Sequence, residues 1–159
     1  MEIFHDGSEQ VADSILRSSR AILAIAVKSL NEIEEVISIP QYRILVILGG
    51  RGDLPMNEIV KETSLAPASA TRLCADLIKK GLLDRKSHPD DRRQVIVAIT
   101  NEGAKLLKDV TESRRRMIQE VVSKLSDGDL TDVDKGFELF ANASPEPDEK
   151  LLAARLGWS

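Results

Sequence analysis

One cysteine in 159 residues, Cys74, excludes an intrachain disulfide framework and suits a reducing cytoplasm. Only five aromatics occur (three Phe, Tyr42 and Trp158), so the core is expected to be aliphatic. No run of about 18 apolar residues is present, so no membrane-spanning helix is expected. The opening MEIFHDGSEQ is acidic and polar where a secretory leader carries a basic region, so no signal peptide is expected. With His5 and His88 the only histidines, no transition-metal site and no cofactor are expected. No Ser-His or Cys-His constellation is visible, and paired carboxylates fall only in loops, so nothing supports an enzyme. The glycines of GGRGD, Gly49 to Asp53, lack the Gly-Lys-Ser/Thr that brings a lysine to phosphate, and read as a turn into the next helix.

What is present is concentrated between Pro55 and Thr100. Met56 to Thr63 reads as a short helix with Ile59 and Val60 on its apolar face. Pro67 suits the first turn of a second helix, which runs to about Lys80 and stops at Gly81. Ala70, Leu73, Cys74 and Leu77 share its core face. Ala68, Ser69, Thr71, Arg72 and Ala75 share the other, where small residues permit entry into a major groove and Arg72 has the fork that grips guanine or phosphate. The alternative for Arg72 is a solvated pair with Asp76 one turn on. Leu82 to Lys86 and Gln94 to Thr100 then read as a hairpin, with Arg92 and Arg93 at a tip that also holds Asp90 and Asp91. Long basic side chains on such a tip suit a minor groove or phosphates; a self-contained ion-pair cluster is the alternative.

Charge follows the same partition. The chain carries −4 overall, yet Ala66 to Arg93 holds seven basic and four acidic residues, a local +3 on a body of −7. That distribution favours an oriented approach to double-stranded DNA over indiscriminate binding.

The flanks read as long helices. Asp6 or Ser8 caps a first helix expected to continue to Ile37, before Pro40. Its middle, AILAIAV from Ala21 to Val27, is apolar all round, which points to cover by a second copy of the chain. Gln41 to Leu48 reads as a short buried helix ended by Gly49 and Gly50. Thr100 caps a long helix to about Leu125, and Leu130, Val133, Phe137 and Phe140 mark a last one. Arg114, Arg115 and Arg116 are adjacent on the long helix, point in different directions, and read as solvated. Ser144 to Lys150 reads as a linker before a short tail.

On Ser69 to Arg85 (SATRLCADLIKKGLLDR) and Asp90 to Gly103 (DDRRQVIVAITNEG) the sequence closely resembles the MarR family of winged helix-turn-helix regulators. The family's wing pattern falls on Asp91, Arg93, Ile99, Thr100 and Gly103. The resemblance implies a mainly α fold with a small β-wing. Residues 1–39 and 101–144 would supply long N- and C-terminal dimerisation helices, 40–100 the DNA-binding lobe and 145–159 a tail. It implies a cytoplasmic homodimer on a pseudo-palindromic operator, most often a repressor released by a small aromatic or phenolic effector. Carried over by residue, Ser69, Thr71 and Arg72, beside Ala68, would face the major groove. Arg92 or Arg93 would enter the minor groove, with Asp91 orienting Arg93. Tyr42 and Arg43 are the polar candidates for an effector pocket between the first helix, their own helix and the helix from Thr100. The alternatives are a redox-responsive repressor using Cys74, though its neighbours are mostly apolar, and a winged-helix adaptor that binds protein instead of DNA.

Overall fold

The computed structural model describes residues 6–87 and 95–145. A long helix α1 (Asp6–Asn31) leads into α2 (Ile39–Arg51), a two-residue strand β1 (Leu54–Pro55), α3 (Met56–Thr63) and α4 (Pro67–Lys79). Strands β2 (Leu83–Ser87) and β3 (Val95–Ile99) follow, then α5 (Asn101–Val122) and α6 (Asp127–Ala143). The fold is mainly helical with one small antiparallel sheet in the order β1-β3-β2. β2 and β3 pair from Leu83 opposite Ile99 to Ser87 opposite Val95. β1 joins the far edge of β3, Leu54 opposite Val97, and is a third strand that the two-strand hairpin of the sequence reading lacks.

α2 is the centre of the core, with Tyr42 and every residue from Ile44 to Leu48 buried against Ile59 of α3, Cys74 and Leu77 of α4, Val97 of β3 and Leu107 and Val110 of α5. Two boundaries differ from the sequence reading. α1 stops at Asn31, because the chain turns through 32–36 and thereby buries both Ile33 and Ile37. A straight helix would keep those residues on its own stripe; the turn delivers them to the lobe's core. α2 begins after Ser38, whose N–H donates to Gln41 Oε1 at 3.0 Å, with Pro40 in the first turn. It runs through Gly49 and Gly50 and ends only at Gly52, where φ is +80°. A Cβ on Gly49 would lie 2.7 Å from Leu107 Cδ1, so this glycine lets α5 approach α2 closely.

The tails of the helices are far less covered. Within the apolar stretch 21–27 of α1 only Ala26 is buried, while Leu23 and Val27 are exposed. No residue of α6 is buried, and Phe137, Leu139 and Phe140 stand in solvent. Between α1 and α6 lies an apolar groove of about 800 Å³. Of the three adjacent arginines, Arg115 and Arg116 are solvated as expected, but Arg114 is not. It is buried against α1, its Nε donating to Ser29 Oγ at 3.4 Å. Among the described residues no helix is long and apolar enough to cross a membrane.

Candidate nucleic-acid interface

The turn between α3 and α4 is made by Ser64, Leu65 and Ala66. Thr63 Oγ1 donates back to the Ile59 carbonyl at 2.7 Å and accepts from the Leu65 N–H at 3.4 Å. Ser64 takes a left-handed conformation, φ +54°, to end α3. From α2, Arg43 Nη2 donates to the Thr63 carbonyl at 3.3 Å. The effector role proposed for Arg43 from sequence is therefore joined by a structural one, bracing the turn that sets the angle between the two helices. Its Nε is buried without a hydrogen-bond partner among the described residues.

α4 divides as its periodicity requires. Ala70, Cys74 and Leu77 are buried, whereas Ala68, Ser69, Thr71, Arg72 and Ala75 are all exposed on the opposite side. Pro67 opens the helix and no side chain caps it, so its first N–H groups have no side-chain acceptor among the described residues. That end is favourable for a phosphate. Thr71 Oγ1 donates to the Pro67 carbonyl at 2.9 Å, which leaves its oxygen lone pairs for an incoming donor. Arg72 makes no ion pair among the described residues, so its alternative as a partner of Asp76 finds no contact.

The C-terminal end of α4 is bonded to its surroundings on two sides. Gly81, φ +74°, closes the helix, and Thr100 Oγ1 donates to its carbonyl at 2.7 Å. The same hydroxyl oxygen accepts the Gly103 N–H at 3.1 Å, and the Thr100 N–H reaches the Leu82 carbonyl at 3.2 Å. A Cβ on Gly103 would sit 2.3 Å from that Leu82 carbonyl oxygen. Gly103 is therefore the condition for docking α5 against the end of α4. On the other side, Lys80 Nζ donates to the Val36 carbonyl at 2.5 Å across the α1–α2 turn. In the sequence Lys80 marks only the end of its helix, and this reach, which no local pattern encodes, is not legible there.

In the wing, β2 shows Asp84, Arg85, Lys86 and Ser87 to solvent, and Lys86 pairs with Asp53 at 2.7 Å. With Arg51 paired to Glu62, both charged residues of GGRGD are engaged in bracing the lobe. Asp91, Arg92 and Arg93 lie outside the described residues, as do His5 and His88. Cys74 is fully buried, and burial pushes its thiol up to about 11 from an ordinary 9.0, against the thiolate a redox switch needs. Tyr42 is buried in the core, its phenol pushed upward by burial and pulled down in part by the charge of Arg114. Neither Tyr42 nor Arg43 lines the groove between α1 and α6 or the cleft between the 32–36 turn and α5.

A family model described as the MarR family matches residues 37–94. An uncharacterised helix-turn-helix transcriptional regulator of Bacillus subtilis, YhbI, is 30% identical over 125 residues, spanning 77% of this chain and 78% of that protein. Among solved structures, RV1404 of Mycobacterium tuberculosis aligns with a TM-score of 0.71 at 28% identity, over 92% of this chain and 100% of that one. A MepR variant of S. aureus, bound to an oligodeoxyribonucleotide, aligns with a TM-score of 0.66 at 21% identity, over 84% and 96% of the respective chains. At that identity the likeness is one of fold.

Proposed function

The chain belongs to the MarR family of transcriptional regulators, and from that premise we propose that it is a cytoplasmic homodimer that binds a pseudo-palindromic operator as a repressor and leaves it when an effector binds. The observation that carries the DNA reading is the exposed face of α4. Ala68, Ser69, Thr71 and Arg72 project from a helix whose other side is anchored in the core, and nothing among the described residues covers them. Arg92 and Arg93, with Asp91 orienting, are the proposed wing contacts. The MepR variant's oligonucleotide supports the same use of this fold.

Residues 40–100 are proposed as the reading lobe, and 1–39 with 101–144 as the dimer-forming helices. Supporting the dimer are Leu16, Phe137 and Leu139, each exposed by more than half (62%, 52% and 62%), on the two helices that flank the apolar groove. A monomer gains nothing by leaving such surface in water. Two copies would place their recognition helices on half-sites one helical turn apart, ~34–36 Å.

The test is selection of a duplex from a random-sequence pool, followed by a mobility shift. Recovery of a two-fold symmetric site bound by two chains is expected. A protein that enriches no sequence and binds duplex no better than an acidic control of its size would leave the adaptor reading instead.

A further inference from the structure

Arg114 lies in α5 with only 8% of its surface exposed. Taking a guanidinium out of water is costly, and an apolar side chain of similar length often fills such a place with equal or greater stability. What a buried polar group adds is direction, because it is satisfied in one arrangement and stranded in the others. Here the arrangement is specific. Ser29 of α1 is fully buried and donates its hydroxyl to the Ala26 carbonyl at 2.7 Å, so its lone pairs are left to accept from Arg114 Nε at 3.4 Å. The charge of Arg114 also reaches α2, where it favours ionisation of the Tyr42 phenol. From Ala21 to Leu30 every residue of α1 except Lys28 and Ser29 is apolar. Apolar surface is not directional, so this stretch alone specifies its register on α5 weakly. One and two turns back from Ser29 stand Ile25 and Ile22, and one turn ahead stands Ile33. None carries a side-chain acceptor, so a slide of α1 by a turn takes Ser29 from the guanidinium and offers nothing in return.

The register matters because α1 and α5 lead to opposite ends of the molecule. α5 is fixed to the end of α4 through Thr100 and Gly81, about 21 Å along the helix from Arg114. α1 belongs to the surface proposed to meet the second chain. We propose that Arg114 is a positioning residue which, with Ser29, pins the register of α1 on α5 and thereby sets the half-site spacing that the dimer accepts. The proposal rests on the regulator and dimer readings. Arg114 touches no base, so it governs spacing and leaves base preference to α4.

The full-length protein and its Arg114→Met variant are titrated with the selected duplex and with versions carrying one base pair more or fewer between the half-sites. Each such change moves a half-site by about 3.4 Å and turns it by about 34°. The parent is expected to bind the altered duplexes at least about tenfold more weakly, and Arg114→Met to lose less than about threefold. Base preference within a half-site and the thermal midpoint of Arg114→Met are expected to match or exceed the parent's, which a merely destabilising change would not allow. Ser29→Ala, which removes one hydroxyl, is expected to relax spacing in the same sense and decides the matter should Arg114→Met not fold. A folded variant with the parent's spacing profile overturns the proposal, as does a loss of affinity equal at every spacing. Register is also read without DNA, from spin labels at Arg20→Cys on α1 and Lys108→Cys on α5 in a Cys74→Ala background, diluted with unlabelled chains. One narrow distance is expected with Arg114 present and a broader spread with Arg114→Met; identical distributions overturn the pin. A parent that selects no duplex fails the regulator reading alone, since the label distances still judge Arg114.

Discussion

Arg72 and Arg93 have different tasks in the proposed complex, and replacing each should leave a different signature. Arg72→Ala, if the fork grips a guanine, should cost about 1–3 kcal/mol and relax preference at one base pair per half-site. Arg93→Ala should weaken all sequences alike and lower the salt slope of log K by about one contact per wing. Selection on each variant, with affinities measured over a salt series, separates the two; identical profiles would contradict the assignment. Cys74 predicts an inert thiol. Peroxide should leave duplex affinity unchanged, and alkylation should require unfolding. Its ionisation also sets a pH dependence. The unfolded thiol loses its proton near 9 and the folded one near 11, so the native state holds the extra proton in between. Stability is therefore lost as pH rises through that window. Denaturant titrations of Cys74→Ala should show a shallower alkaline decline than the parent. Burial moves the Tyr42 phenol in the same direction, so some decline should persist.

At the scale of elements, two glycines in helices make contrasting predictions. Gly103→Ala drives a methyl into a backbone carbonyl that cannot step aside, and should cost about 1–3 kcal/mol. Gly49→Ala meets only the end of the Leu107 side chain, and the gain in helix propensity of about 1 kcal/mol offsets what Leu107 must yield. Chemical denaturation should rank Gly103→Ala clearly below Gly49→Ala, and the reverse order would contradict the docking described at Thr100. These positions also show what was legible from sequence. The two faces of α4 follow from period alone, because its core residues and its small polar residues repeat at helical spacing. The capped start at Thr100 and the stop at Gly81 follow from local chemistry. The end of α1 does not, since Ile33 and Ile37 keep helical spacing whether the helix continues or turns. Gly49 and Gly50 read as a terminator because a pattern of residues carries no record of what presses against them. β1, two residues long, has no period to detect. Arg114 was hidden for a related reason: three adjacent arginines look alike until α1 packs over one of them and reaches it with Ser29.

For the whole molecule, the apolar flanks of α1 and α6 govern behaviour. Phe137→Glu places a charge in the proposed subunit contact and should shift the mass in solution from two chains to one, with loss of operator affinity. Light scattering across a dilution series checks this, and a parent protein that stays monomeric throughout would contradict the dimer. Thermal midpoints of the parent should rise with concentration, those of Phe137→Glu should not. The bonds from Thr100 to Gly81 and Leu82 have a mechanical consequence at this scale. They leave no slack between the start of α5 and the end of α4, so α5 acts as a rigid arm about 33 Å long that carries α4 at its near end. A tilt of ~10° at its far end sweeps the near end through ~6 Å, by simple leverage over that length. In the proposed complex bases would be touched at the tip of this arm, but the span between two tips would be decided at the pivot.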